Sequence, residues 1–334
     1  MKIYFANSPT KVGGPSTFIR NLKNGLEKRN YKIAFDQDKK NISTVIVTSS
    51  TKKIAFLILC KIKGIKIIQR LDGMWYQSLS QSGNIIKYIY FKLVNFIMFL
   101  IRNFVADIVI YQSEFVKNWW EKKYGVLSKK SIVIYNGAKL KKWVSSDEHL
   151  SNEDQQSRDL ICVEGNFHNN DFTLNLLNEV SLRCKNIGIK KLHLFGNISQ
   201  KMEKKLNLNE NIVIHGHQNK KIIDKYIIDK PIHLSLDVNS ACPNSVIESM
   251  CSGIPIVGLN TGSLKELVGD NAGIVVDYIG DHFAQNIDPN FEDIVEAIMR
   301  ISNNYLYYSE NSYKRAKAYL TVDQMVENYS KHLT

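Results

Sequence analysis

Cysteine pairs, glycine fingerprints and long unbroken apolar runs are missing from this 334-residue chain. Its five cysteines, Cys60, Cys162, Cys184, Cys242 and Cys251, form no CxxC pair, which argues against a disulfide framework. Cys60 and Cys162 stand in apolar runs and read as small core residues in a reducing compartment. No GxGxxG occurs, so the dinucleotide fingerprint is absent. No helix-turn-helix, zinc-finger or RNP pattern supports nucleic acid as a partner. Internal repeats, low-complexity tracts and metal-ligand clusters are also lacking. Asp36-Gln37-Asp38 has DxD spacing, but it lies in a lysine-flanked loop and reads as surface. Met1-Lys2 leads straight into the strand-like IYFAN with no signal-peptide pattern, so a cytoplasmic chain is expected. The most apolar segment, Ile85 to Phe104, nears membrane-spanning length. Lys87, Lys92, Asn95 and Arg102 interrupt it, so it reads as a buried or interfacial amphipathic helix.

What is present is a lopsided charge. Residues 1–150 hold 26 Lys and Arg against 9 Asp and Glu, net +17; the remainder holds 18 against 23, net −5. This fits an anionic membrane surface or polyanionic acceptor beside the first half, or a lysine-rich solvated surface. The length suits two domains.

The first half alternates strands and helices. Lys2 to Ala6 reads as a strand, followed by the turn-rich loop NSPTKVGG. A helix then runs from Pro15 to about Asn30, and Gly13 and Gly14 permit close backbone approach by a ligand. Strands follow at 44–48 and 66–71, with a helix over 52–63 between them. The second strand ends in Arg70-Leu71-Asp72-Gly73-Met74-Trp75, which places Asp72 at the mouth of the sheet. A salt bridge or a turn is the alternative use for Arg70 and Asp72. ADIVIYQ (106–112), a helix begun by Ser113, and a strand over 131–135 closed by Asn136-Gly137 complete this half. Residues 139–158 are polar and aperiodic, and read as a connection.

The second half opens on a strand at 159–163 followed by EGNFHNNDF. Helices are expected at 175–187 and 221–228, and strands at 191–195 and 212–217. The stretch His233 to Leu259, HLSLDVNSACPNSVIESMCSGIPIVGL, reads as strand, loop, helix, strand. Pro243 is expected at the first helical position, Val246, Ile247 and Met250 on the buried face, and Gly253 and Pro255 as the stop. The helix start offers free N–H groups to an anion, and Glu248, more than one turn in, suits a sugar hydroxyl. A loop at 258–263, a helical turn at 264–267, a strand at 272–277 and helices at 291–306 and 311–333 close the chain.

The central stretch resembles the donor-site helix of retaining glycosyltransferases of family 4, also called glycosyltransferase group 1. The family pattern is Glu-x7-Glu followed by Ala-Met-Ala-Cys-Gly-x-Pro-Val. Here it stands as Ser240, seven residues, Glu248, then Ser-Met-Cys-Ser-Gly-Ile-Pro-Ile. Ser240 replaces the first glutamate. The family's diphosphate-binding arginine and Lys-Gly after the first strand of the domain have no counterpart in EGNFHNNDF. ADIVIYQSEF, VIYNGA, the strand ending at Gly216 and the loop 258–267 resemble further family segments.

The resemblance implies a GT-B fold, an α/β architecture of two Rossmann-like domains with parallel sheets facing an interdomain crevice. The expected bounds are an acceptor-side domain at 1–140, a linker at 141–158, a nucleotide-sugar domain at 159–307, and a C-terminal helix at 308–334 returning to the first domain. It implies transfer of a sugar, with retention, from a nucleotide-sugar to a hydroxyl of a glycan or lipid-linked acceptor in cell-surface polysaccharide or lipopolysaccharide assembly. No cofactor and no metal are implied. Glu248 and Asp72 are the catalytic candidates. Gly13, Gly14, Gly165, Asn166, Gly216, Ser240, Asn244, Ser245, Glu248, Thr261 and Gly262 are the donor-binding candidates. Arg70, Asp72 and Trp75 are the acceptor-side candidates; His168 stands near enough to Asn166 to contribute to phosphate binding, with a plain loop role as the alternative. An anionic membrane at the inner face is a further expected partner. The alternatives are a GT-B epimerase or phosphorylase and a non-catalytic partner subunit.

Overall fold

The computed structural model describes residues 1–9, 13–36, 38–76, 85–142, 158–167, 170–236, 238–281, 283 and 287–333. Gln37 of the DxD run, His168, Asp237 and most of the expected linker lie outside them. The chain divides into two units, one of Met1–Gly137 with Val322–Thr334, the other of Ala138–Thr321.

The first unit is a six-stranded parallel sheet in the order β2-β1-β3-β4-β5-β6. Its strands are β1 Lys2–Phe5, β2 Lys32–Ala34, β3 Thr44–Thr48, β4 Lys66–Leu71, β5 Ile108–Tyr111 and β6 Ser131–Val133. All five residues of β3 are buried, as expected for a central strand covered on both faces. Right-handed crossovers then place the helices Ile54–Ile62, Ile85–Leu100 and Glu114–Tyr124 on one face. The other face packs Phe18, Leu22 and Leu26 of the helix Gly14–Lys28 together with Met325, Val326 and Tyr329. Those last three belong to the helix Val322–Ser330, which closes the core from the far end of the chain. Gly25 lets the two helices approach: a Cβ there would lie 2.3 Å from Val326 Cγ2. Ser113 caps Glu114–Tyr124 through Val116 N at 3.2 Å. After Leu100 the helix continues as a π turn over Ile101–Val105.

The second unit repeats the plan in the order β12-β11-β10-β7-β8-β9. Its strands are β7 Leu160–Asn166, β8 Leu192–Asn197, β9 Ile212–Gly216, β10 Ile232–Ser235, β11 Ile256–Leu259 and β12 Gly273–Val276. All pairings are parallel. Leu176, Leu177, Val180, Leu194, Leu234, Val257, Ile294 and Ile298 lie in its core. Each such side chain contributes on the order of 1.5–3 kcal/mol of transfer free energy.

Several elements differ from the sequence reading. β2 and the helix Gln200–Leu206 were not expected. Three residues are too few for a period, and seven residues with three lysines show little apolar stripe. Pro243 caps the helix Asn244–Met250 in an extended conformation, one position before its first turn. The expected 311–333 helix is two helices, Tyr305–Tyr319 and Val322–Ser330. Tyr305–Tyr319 stays with the second unit, where Ser312 Oγ donates to Ile254 O at 2.8 Å and Arg315 binds the carbonyls of Glu266 and Leu267. Ala138–Lys142 also belongs there: Lys141 N donates to Cys251 O, and its ammonium pairs with Asp224 at 2.7 Å.

Candidate functional site

In the second unit, β7, β8 and β9 run outward on one side of the sheet, whereas β10, β11 and β12 run outward on the other. The order therefore reverses between β7 and β10, and the loops after these two strands part at the carboxyl edge. Parallel strands bring every loop after a strand to that edge. Gly165 and Asn166 end β7, Gly216 ends β9, Ser240 follows β10, and Thr261 and Gly262 follow β11.

Three of these residues are interlaced. Asn239 N donates to Thr261 O at 3.0 Å, and Ser263 N donates to Ser240 O at 2.9 Å. Gly262 makes this approach possible, since a Cβ on it would lie 2.6 Å from Ser240 N. Ser240 and Thr261 are both buried by this lacing. Next to it, Asn197 Nδ2 donates to Asn166 Oδ1 at 3.0 Å and to Gly165 O at 3.3 Å. Gly216 stands at φ +66°, and a Cβ there would meet no atom within 4 Å.

Asn244, Ser245 and Glu248 share the helix Asn244–Met250. Val246, Ile247 and Met250 face the core, as expected from the sequence. His233, fully buried in β10, bonds Ser249 through Nδ1 at 2.7 Å and so ties the helix to the sheet. Burial pushes the His233 imidazole down to about 4, which keeps it neutral. Buried Cys251 ends the helix, and its thiol is pushed up to about 12, chiefly by burial, so it is inert. Glu248, one third exposed, turns away from the core and pairs with Lys220 Nζ at 2.8 Å. Lys220 opens the helix Lys220–Ile228, which follows β9. No periodicity or motif separates this lysine from the many others, so the sequence carried no signal for it. On the same side of the sheet, Phe195 and His215 stack with centroids 4.4 Å apart, and Tyr226 closes on both.

The first unit holds a different arrangement. Asp72 follows β4, where Arg70 and Gln112 both donate to its Oδ1 and Ser49 Oγ donates to Oδ2 at 2.6 Å. Arg70 is 1% exposed, bonds Asn136 Oδ1 at 2.9 Å and lies 3.9 Å above the Phe18 ring. Asn136 in turn donates to Gln112 at 3.1 Å, closing a ring of polar groups. Ser49, Gln112 and Asn136 were not singled out in the sequence, although each directly follows an apolar strand pattern, the position that reaches a carboxyl edge. Trp75 is half exposed, its backbone held by Asn95 and its ring 5.1 Å from that of Phe91. Gly13 caps the helix Gly14–Lys28 at φ 119°, a conformation suited to glycine. Residues 10–12 of that loop lie outside the described residues. Among the described residues, no three His, Cys, Asp or Glu side chains gather as metal ligands.

Residues 158–293 match the family model for glycosyl transferases group 1. No curated protein sequence matches the chain. Among solved structures, Anabaena Alr3699/HepE in complex with UDP has 14% identity and a TM-score of 0.69, covering 100% of this chain and 99% of that one. Sucrose-phosphate synthase from Thermosynechococcus elongatus has 11% identity and a TM-score of 0.66, with 99% and 97% covered. WaaG, a glycosyltransferase involved in lipopolysaccharide biosynthesis, has 12% identity and a TM-score of 0.63, with both chains covered in full. With these likenesses, the two six-stranded parallel sheets are the GT-B architecture.

Proposed function

We propose that this chain is a glycosyltransferase that moves a sugar, with retention, from a nucleotide-sugar to a hydroxyl of a glycan or lipid-linked acceptor in cell-surface polysaccharide or lipopolysaccharide assembly. The observation that carries the reading is the glycosyltransferase group 1 match over residues 158–293, which contains Glu248 and its helix. The interlaced Ser240, Thr261 and Gly262 loops support it, because they are the segments that would meet the sugar and its phosphates. In this reading Glu248 accepts hydrogen bonds from the nucleotide's ribose, and Lys220 orients its carboxylate. Gly165, Asn166, Gly216, Asn244 and Ser245 complete the donor side.

The leaving diphosphate needs compensating charge, because the arginine and lysine of the family pattern are absent. Lys220, held in the second unit, is the cation we assign to it, and no divalent ion or cofactor is assigned. Asp72 would orient the incoming hydroxyl. Three donors already occupy three of about four lone-pair positions on its carboxylate, which leaves one for an acceptor. Trp75 would offer its exposed ring to a sugar face. The reaction is assigned to the cytoplasm.

The test is turnover with a panel of uridine-, guanosine- and adenosine-diphosphate sugars, beginning with UDP-glucose, which HepE binds in a related crystal structure. Release of nucleoside diphosphate with one sugar, and an α-linked product by NMR from an α-linked donor, is the expected result. Ser240 in place of the family's first glutamate favours a second reading, a non-catalytic GT-B subunit. Nucleotide-sugar binding without turnover across the panel and with glycan acceptors would establish that reading instead.

A further inference from the structure

The helix Ile85–Leu100 is apolar on both its buried and its exposed side. Polar Asn95 faces the protein, where it accepts from Trp75 N at 2.9 Å and donates to Trp75 O at 2.7 Å. Val94 and Met98 are buried on the same side. The apolar residues face water: Ile86 is 76% exposed, Leu93 55% and Phe96 52%. At 100° per residue, Ile86, Ile89, Tyr90, Leu93, Phe96 and Leu100 fall within one stripe about 120° wide. The neighbouring helix Ile54–Ile62, on the same face of the sheet, adds exposed Ile58, Leu59 and Ile62. An exposed apolar face of this kind on a folded unit marks a docking surface.

Charge selects the occupant. Lys92 borders the stripe on one side, whereas Lys87 lies at the angle of Val94 and Met98 with its ammonium 5.6 Å from the Phe91 ring centroid. Lys123, on Glu114–Tyr124, is close enough to Lys92 that their repulsion adds to burial in pushing its ammonium down. Met1–Gly137 with Val322–Thr334 holds 24 Lys and Arg against 9 Asp and Glu, net +15. A second copy would bring the same charge to the same face and be repelled. An anionic bilayer satisfies the apolar stripe and the lysines together. Among the described residues no helix is long and apolar enough to cross a membrane, so this one would lie in its plane.

We propose that the outer face of Ile85–Leu100 is a peripheral docking surface for an anionic lipid bilayer. Ile86, Ile89, Leu93 and Phe96 enter the acyl boundary, Lys92 meets lipid phosphate, and Trp75 and Tyr76, each about half exposed, sit at headgroup depth. The inference rests on the first unit alone and stands apart from the donor chemistry.

The test is co-sedimentation of the full chain with vesicles of phosphatidylcholine alone or mixed with phosphatidylglycerol. Binding to the mixed vesicles at low salt, release at high salt and a blue shift of tryptophan emission are expected. The Leu93→Ser, Phe96→Ser pair should lower binding about tenfold or more with an unchanged melting curve, since each removes an inserted side chain. Lys92→Ala should lower the anionic preference about fivefold. Quenching of wild-type tryptophan by brominated lipid supports the proposal without any variant. No sedimentation with anionic vesicles at low salt overturns it, as does unchanged binding by the serine pair. A dimer dispersed by Leu93→Ser, without vesicle binding, would make the face a self-association surface instead.

Discussion

The two units carry the same sheet plan and treat the polar groups at its carboxyl edge in opposite ways. In the first, the side chains at the strand ends bind one another: Ser49 after β3, Arg70 in β4 and Asp72 after it, Gln112 after β5 and Asn136 after β6. In the second, backbone holds the edge together, through Asn239 to Thr261 and Ser240 to Ser263. Its exposed carboxylate, Glu248, meets one flexible lysine. A network of side chains bonded to one another gains rigidity, whereas a backbone-laced edge does not depend on its side chains for its shape. The lesson is that an acidic residue at a strand end has a different meaning in each unit. Asp72 is part of the framework as well as a candidate for chemistry, whereas Glu248 can be altered without disturbing the core.

The largest expected effect tests the framework half of that contrast. Arg70→Met leaves Asp72 and Asn136 without their shared donor in a buried setting, and breaking such a pair costs about 3–5 kcal/mol. Hydrogen-exchange protection should fall in β3, β4 and β5 and persist in β7 and β10. Equal loss in both units would show that the network does not belong to the first unit alone.

The second test uses pH on the second unit. His233 has a folded value of about 4 against an unfolded value of 6.5, so the unfolded state binds the extra proton between them. Its contribution is fully present above pH 6.5 and is lost progressively as pH falls toward 4, by about 3 kcal/mol. Urea unfolding of the second unit, followed by exchange in β10, should weaken over that window. The His233→Leu, Ser249→Ala pair should flatten the dependence.

A smaller effect is expected at the ligand-facing carboxylate. Glu248→Gln should weaken nucleotide-sugar binding by about 1.5–3 kcal/mol, the value of a hydrogen bond to a charged group. Its melting curve should stay within about 1 kcal/mol of wild type, because an exposed ion pair contributes little. Lys220→Met should act in the same direction and steepen the loss of turnover relative to binding. Unchanged donor affinity by calorimetry in Glu248→Gln would take the residue out of the site. The smallest expected effect is none: turnover should survive chelation, and a rate abolished by chelator and restored by magnesium or manganese would replace Lys220 with a metal ion in the reading.

Much of the plan is legible along the chain, because parallel strands buried on both faces must be short apolar runs. TVIVT at β3, KIIQRL at β4 and IVIY at β5 stand out for that reason. Lys32–Ala34 and Gln200–Leu206 do not, since edge pairing and a lysine-rich surface leave no period to read. The site divides in the same way. Glu248, Ser240, Thr261 and Gly262 are candidates that the family resemblance points to, whereas Lys220 is one lysine among many until the fold brings its ammonium to Glu248.

By itself, then, the sequence determined the α/β alternation, the strand cores, the helix that bears Glu248, the charge asymmetry and the apolar content of Ile85–Leu100. Those are properties of local pattern and composition, and they survive without knowing which residues meet. Tertiary structure alone decided that the Asp72 carboxylate is held by donors from the ends of three strands of the first unit, that Lys220 reaches Glu248, that Val322–Ser330 closes the first core from the far end of the chain, and which face of Ile85–Leu100 meets water. Each of these depends on contacts between residues distant in sequence, and no local period encodes such contacts.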